Sequence, residues 1–159
     1  GGEEAEALAA AGIACDTVPG ISAAQGAAAS AGIPLTHRDH AAMLVFATGH
    51  LQGEGEERSV ALDWAALARP RQTVVIYMGV GTLPVICAKL IEHGLPPGTP
   101  AALIERATLP DQRSIIGTLQ SLPALGVAHQ VCPPALIMIG ETVSLQARIG
   151  SQATVVAAP

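Results

Sequence analysis

The stretch from Gln72 to Gly94 constrains the fold more than any other part of the chain. Gln72 to Met78 (QTVVIYM) is a strongly apolar run of strand length, stopped by Gly79, and Thr82 to His93 (TLPVICAKLIEH) carries the marks of a helix. Thr82 stands at the cap, Pro84 sits in the first turn where its missing N–H costs nothing, and Gly94 ends the run. A strand that turns directly into a helix is the building unit of α/β proteins.

The same alternation continues on both sides. Met43 to Thr48 reads as an apolar strand, Leu62 to Ala68 as a short helix, and Pro100 to Arg106, Arg113 to Leu119 and Pro134 to Val143 as further strands. A turn or short helix is expected around Ser121 to Ala128. No helix-length segment separates Arg113 to Thr118 from the strand before it, so the two are expected to pair antiparallel, giving a mixed sheet with flanking helices. Gly53 to Arg58 (GEGEER) reads as an exposed loop, and the residues after Gly150 show no anchoring pattern.

The front of the chain is built differently. Glu3 to Ala11 reads as a helix with its acidic residues in the first turn, and Gly12 stops it. Cys15 to Val18 is a short strand candidate closed by Pro19-Gly20, and Ser22 caps a small-residue helix running to Ala31, which Gly26 weakens somewhat. Gly32 to Asp39 (GIPLTHRD) then breaks the pattern with Gly, Pro and a polar cluster. These breaks divide the chain into residues 1–31, a linker at 32–39, an α/β unit at 40–150 and a tail at 151–159. The opening Gly-Gly-Glu-Glu carries no methionine, and further polypeptide is expected ahead of it.

Composition narrows the function classes. Half of the 159 residues are apolar, yet Phe46, Trp64 and Tyr77 are the only aromatics, so the core must be made of Ala, Val, Leu and Ile at close approach. A net charge of −5 argues against a broad nucleic-acid or membrane footprint. No apolar run reaches the roughly 18 residues that cross a bilayer, and a soluble, cytoplasmic protein is expected. Cys15, Cys87 and Cys132 are far apart with no C-x-x-C spacing, so no metal is expected, and the thiols are read as buried and reduced.

No self-contained catalytic constellation is present: there is no G-x-S-x-G, no P-loop and no H-E-x-x-H. Gly79-Val80-Gly81 follows a strand and precedes a helix, the right context for a nucleotide-contacting turn. Position 84 is Pro, so the third glycine of the dinucleotide fingerprint is missing.

Several segments together say more than any one of them. VPGISAAQG (Val18 to Gly26), GIPLTHRD (Gly32 to Asp39), TGH (Thr48 to His50), VIYMG (Val75 to Gly79), KLIEHG (Lys89 to Gly94), ERATLPDQR (Glu105 to Arg113) and PALIMIGETV (Pro134 to Val143) cover nearly the whole chain. In this order and at these intervals they resemble the tetrapyrrole methylase family, and within it the uroporphyrinogen-III C-methyltransferases.

That resemblance implies a two-domain α/β enzyme, a homodimer, with S-adenosyl-L-methionine and substrate in the cleft between domains. Its reaction would place methyl groups on carbons 2 and 7 of uroporphyrinogen III, giving precorrin-2 for sirohaem and cobalamin synthesis and leaving S-adenosyl-L-homocysteine. Carried onto this sequence, the cofactor contacts fall at Ser22 and Ala23, at Met78 and Gly79, and at Ala107. The substrate's carboxylates need basic partners, for which His37 and Arg38 are the best local candidates, followed by Arg106 and Arg113, with Thr36 beside them as a further substrate contact. Each has a plainer reading: Met78 as core filling, Ser22 as a cap, Thr36 to Asp39 as a paired surface turn, His50 as a structural histidine.

The family pattern opens with a strand, a GxGPGD loop, then GGDP and FGRGGEE, of which this sequence shows only the GGEE. Residues 1–31 would then be a remnant of a parallel-sheet N-terminal domain. No catalytic acid or base transfers onto these positions, and the 159 residues alone are expected to be inactive. The rival expectations are another methyltransferase of the superfamily, or a non-catalytic folding or dimerisation module.

Overall fold

The computed structural model describes residues 1–50, 60–149 and 155–156. One six-stranded sheet runs in the order β1-β2-β5-β3-β4-β6, with β1 Met43–Thr48, β2 Gln72–Tyr77, β3 Pro100–Glu105, β4 Arg113–Thr118, β5 Ala135–Ile139 and β6 Val155–Val156. β1 pairs parallel with β2, while β5 is antiparallel to both β2 and β3. β1, β2 and β3 therefore point the same way. β4 pairs antiparallel with β3, as its short connection requires, and β6 runs parallel beside β4 in the segment that the sequence leaves as a tail.

The uninterrupted apolar run in β2 has a simple cause: both faces of this sheet are covered. Val74 and Ile76 of β2, Ala101 and Leu103 of β3, and Ile137 and Ile139 of β5 point to one face and share a core with Leu83, Ile86, Leu90, Leu122 and Leu125. Those residues come from α4 (Leu83–Glu92) and α5 (Leu122–Ala128), and Leu67, at the end of α3 (Trp64–Leu67), joins them. Val75, Ala102, Ile104, Leu136 and Met138 point to the other face, against Ala24, Ala27, Ala28 and Ala31 of α2 (Ala23–Ala31) and Val143. Alternate residues of each strand thus serve opposite layers, the period-2 rule of a pleated strand. Each large side chain buried this way contributes about 1.5–3 kcal/mol. The alanine face of α2 lets helix and sheet approach closely, which is how a core almost without aromatics fills its volume.

The element ends show where local chemistry decides. Ser22 caps α2: its hydroxyl accepts the Gln25 N–H at 3.3 Å while the Gln25 side chain accepts the Ser22 N–H at 3.0 Å, and Gly32 closes the helix at φ 69°. Thr82 stands at the cap of α4 without bonding its amides, a difference from the expectation with a structural reason given below. The strand expected over Pro134 to Val143 stops at Ile139, because Gly140 takes φ 134° and the chain enters a 3-10 turn, Glu141–Leu145, before α6 (Gln146–Ile149). Inside that turn the Thr142 hydroxyl bonds the Thr73 hydroxyl at 2.9 Å, a buried tie to β2.

Two expectations at the front and among the thiols are corrected. Cys15 to Val18 forms no strand: among the described residues no strand lies beside it, and Val18 and Ile21 are 87% and 84% exposed. A strand without a neighbour has no partner for its N–H and C=O groups. The preceding helix, α1 (Gly2–Ala10), buries no residue. Of the three thiols, only Cys87 is buried; Cys15 and Cys132 are exposed. The loop expected at Gly53 to Arg58 lies outside the described residues. No helix among those described is long and apolar enough to cross a membrane, and none of their side chains form a group of three or more metal-ligating residues.

Candidate functional site

Because β1, β2 and β3 are codirectional, their carboxyl ends meet along one edge of the sheet, where β5 begins. Ligands of open α/β sheets settle at such carboxyl ends. Here that edge opens into a cavity of about 520 Å³, within the usual range for small-ligand sites. It is lined by Ala23, His50, Tyr77, Met78, Val80, Gly81, Ile104, Arg106, Ala107, Leu109, Pro133, Pro134, Ala135 and Leu136.

The exit of β2 makes one wall. Met78 takes φ 54°, an unusual conformation for a residue with a side chain, and is 64% exposed instead of filling the core. Backbone held in a sparsely populated region is found disproportionately at ligand sites. Next to it, the chain passes through a tight space: a Cβ on Gly79 would lie 2.6 Å from the side-chain tip Ile137 Cδ1, and one on Gly49 would lie 2.8 Å from backbone, the Gly79 Cα. The Thr48-Gly49-His50 and Met78-Gly79-Val80 segments thus touch backbone to backbone. Gly49 N–H donates to the Tyr77 carbonyl at 2.7 Å, and the buried Thr82 hydroxyl donates to the Gly49 carbonyl at 2.8 Å, with the Gly79 carbonyl 3.2 Å away. Thr82 is spent on stitching these two turns together, which is why it does not cap α4.

The exit of β3 makes the opposite wall. Arg106 and Thr108 have φ of 49° and 69°, with Ala107 between them. Arg106 N–H donates to the Pro134 carbonyl at 2.9 Å, binding this turn to the lead-in of β5, and Thr108 N–H donates to the Gln112 side chain at 2.6 Å. The Arg106 guanidinium, half-exposed, pairs with Asp111. Apart from His50, Arg106 is the one basic residue among the described residues that line the cavity.

The third wall is the first turn of α2. Ala24 N–H donates to the Tyr77 hydroxyl at 3.1 Å, which ties this turn to the tip of β2 and places Ala23 at the rim. Further along α2, Gly26 lies against Thr108, whose methyl would sit 3.2 Å from a Cβ there.

Of the residues assigned by resemblance, the structure therefore brings Ala23, Met78 and Ala107 into one hollow, with Ser22 and Gly79 adjoining them in sequence. Arg106 joins them there. Arg113 does not: it lies at the same end of the sheet, but its guanidinium is 2.5 Å from the buried Glu105 carboxylate and donates to the His129 carbonyl at 3.0 Å. The second Glu105 oxygen accepts the Cys132 N–H at 2.8 Å. Arg113 thus neutralises a buried acid, as a paired charge must.

Thr36, His37 and Arg38 are also outside the cavity. Their turn bridges to Ala41 and runs straight into the amino end of β1, and the Arg71 guanidinium, just ahead of β2, donates to the Arg38 and Asp39 carbonyls at 3.0 and 3.1 Å. The cavity is at the other end of those strands, about 17 Å away for the five steps of roughly 3.3 Å that separate the first and last of six residues. Tyr77, Pro133, Pro134 and Leu136 line the cavity although the sequence reading assigned them no role there. Their signal is the register, since antiparallel β5 sets Ala135 opposite Glu105 at the tip of β3.

The chain matches the family model of tetrapyrrole (corrin/porphyrin) methylases over residues 1–123. It belongs to the tetrapyrrole methylase family. This methylase chain is 57% identical over 143 residues to siroheme synthase of Gluconacetobacter diazotrophicus, an overlap that covers 90% of it and 30% of that protein. It is similar in fold to the native form of uroporphyrin III C-methyl transferase from Thermus thermophilus, with a TM-score of 0.75 and 33% identity, covering 91% of this chain and 58% of that one. The Thermus enzyme complexed with S-adenyl homocysteine gives a TM-score of 0.73 at 33% identity, covering 91% of this chain and 60% of that chain. The methylase chain thus spans less than a third of the siroheme synthase it matches.

Proposed function

We propose that the cavity at the carboxyl ends of β1, β2 and β3 holds S-adenosyl-L-methionine, and that the protein methylates uroporphyrinogen III at carbons 2 and 7 to give precorrin-2. One observation carries this reading: Ala23, Met78 and Ala107, from three separate segments, line a single hollow. The names of the siroheme synthase and Thermus relatives support it. So does the cavity's chemistry, which is chiefly apolar with small residues at Ala23 and Ala107, leaving room for a nucleoside between the walls.

When bound, the cofactor's sulfonium supplies an already activated methyl group, so the protein's task is alignment of donor and acceptor. The residues present suit that task. Turns locked by the Gly49–Gly79 contact, by the Thr82 hydroxyl and by the Arg106–Pro134 bond hold backbone groups rigidly around the hollow. The tetrapyrrole is a polyanion, and Arg106 at the rim is the group we assign to its carboxylates; Thr36, His37 and Arg38 would meet it only at the far strand ends.

The 159 residues alone are proposed to be inactive or nearly so, and the homodimer and the wider sirohaem and cobalamin role belong to the same proposal. The test has two parts. Calorimetric titration with S-adenosylhomocysteine should give saturable binding at one site, and the full-length protein that carries these residues, offered uroporphyrinogen III and S-adenosylmethionine, should form the dimethylated product. A chain that serves only folding or dimerisation would show no heat above dilution, and a methylase of other specificity would bind the cofactor but leave uroporphyrinogen III unchanged.

A further inference from the structure

Tyr77 is the single tyrosine of the sequence, and it stands where two walls of the cavity meet. Its Cα is opposite Thr48 at the end of β1, its ring packs with the alanine layer under α2, and Phe46 meets that ring edge-on at 6.0 Å between centroids. The hydroxyl reaches the first turn of α2 and accepts the Ala24 N–H at 3.1 Å. A phenol has one O–H to donate besides its lone pairs. In this contact only a lone pair is used, because a backbone amide can act only as the donor. The O–H finds no acceptor among the described residues, while the ring borders the hollow.

We infer that Tyr77 is a ligand-contacting and positioning residue: one hydroxyl anchors the first turn of α2 through its lone pair and donates its own hydrogen to a polar atom of the S-adenosyl ligand. The inference rests on the cofactor reading above. It has a structural logic, since the group that grips the ligand is also the group that fixes the spacing between Ala23 and Met78. Ligand contact and wall spacing are then set by the same oxygen, so neither can shift without the other.

The test uses Tyr77→Phe, which keeps the ring, its packing on the alanine layer and its edge contact with Phe46. Calorimetry with S-adenosylhomocysteine should show Kd rising about tenfold, the loss expected when one hydrogen bond to a polar ligand atom is removed. A second readout separates ligand contact from mere support of α2. With Cζ-labelled tyrosine, the wild-type resonance should move when S-adenosylhomocysteine is added, because the hydroxyl gains an acceptor; the signal assigns itself, since Tyr77→Phe removes it. An unchanged Kd in Tyr77→Phe overturns the inference, and so does a weaker Kd with a stationary tyrosine resonance, which would leave Tyr77 a prop for the helix. If the wild-type protein itself binds no S-adenosylhomocysteine, the cofactor reading fails, a result distinct from either of these.

Discussion

At the scale of single residues, the crossing of Gly49 and Gly79 brings two backbones into close approach beside the cavity. A methyl group on Gly49 would face backbone, the Gly79 Cα at 2.8 Å, whereas one on Gly79 would face the ends of the Ile137, Ile86 and Ile76 side chains. Backbone cannot rotate away, but an isoleucine tip can. Gly49→Ala should therefore be the more destabilising of the two, by about 1–3 kcal/mol in urea denaturation, the usual range for overpacking. If Gly79→Ala costs more, the close backbone contact is not what defines this turn. A second residue-scale prediction concerns the thiols. Burial pushes the Cys87 thiol up from 9.0 to about 12, so it stays protonated and enclosed at neutral pH. Cys15 and Cys132 should react promptly with a thiol reagent in native protein, and Cys87 only after unfolding. The sign of the pH effect follows from the raised value: the stability contribution is intact below about 9 and is lost as pH rises toward about 12, where burying a thiolate becomes unfavourable. Alkaline unfolding midpoints of wild type and Cys87→Ala would show it, with the variant lacking that part of the high-pH decline.

Between single residues and the whole, the elements are held in place by a few bonds that cross from one to another. Thr82 is the clearest case, because its hydroxyl serves the β1 and β2 exits instead of its own helix. Thr82→Val keeps the shape of the side chain and removes the bond, so it should cost about 1–1.5 kcal/mol and loosen the rim, raising the Kd for S-adenosylhomocysteine. Ser22→Ala should cost about 1 kcal/mol through lost capping of α2. An unchanged ligand affinity in Thr82→Val would mean that the turns are held by packing alone. Elements whose partners lie within the described residues were the legible ones. β2 and α4 follow directly from apolar run, Pro84 and Gly94, and the antiparallel β3–β4 pair follows from the short connection between them. Cys15 to Val18 has strand-like residues but no neighbour to bond among the described residues, and β5 ends early because Gly140 turns the backbone, a choice that Pro134 to Val143 does not reveal by composition. That Ala23, Met78 and Ala107 gather around one cavity, with Ser22 and Gly79 next to them in sequence, was foreshadowed only by family resemblance. The contributions of Tyr77, Pro133 and Pro134 depend on register and strand order, which no local pattern encodes.

The whole molecule poses an electrostatic problem, since a chain of net charge −5 is proposed to bind a polyanion. Long-range attraction cannot help, so recognition must come from individual basic groups at the cavity. Arg106 and Arg113, seven residues apart in sequence at the same end of the sheet, divide the work in opposite ways. Arg113 covers a buried acid: Glu105 is 5% exposed and is satisfied by that guanidinium and the Cys132 N–H. Removing Arg113 leaves the carboxylate buried without its partner, and Arg113→Ala should destabilise the protein by about 3 kcal/mol, the lower end for a broken buried pair because Arg113 itself keeps some exposure. Arg106 instead pairs with Asp111 at the surface, an interaction screened by water and salt. Arg106→Ala should change stability by no more than about 0.5 kcal/mol yet, in the full-length protein that carries these residues, raise KM for the tetrapyrrole about tenfold or more, the effect of losing one charge-assisted contact to a carboxylate. Added salt should narrow the gap between Arg106→Ala and wild type, because a rim contact is screened whereas a buried one is not. Measured side by side, the two variants must separate stability from substrate affinity; if Arg106→Ala unfolds the protein while Arg113→Ala raises KM alone, the assignment of the two arginines is reversed.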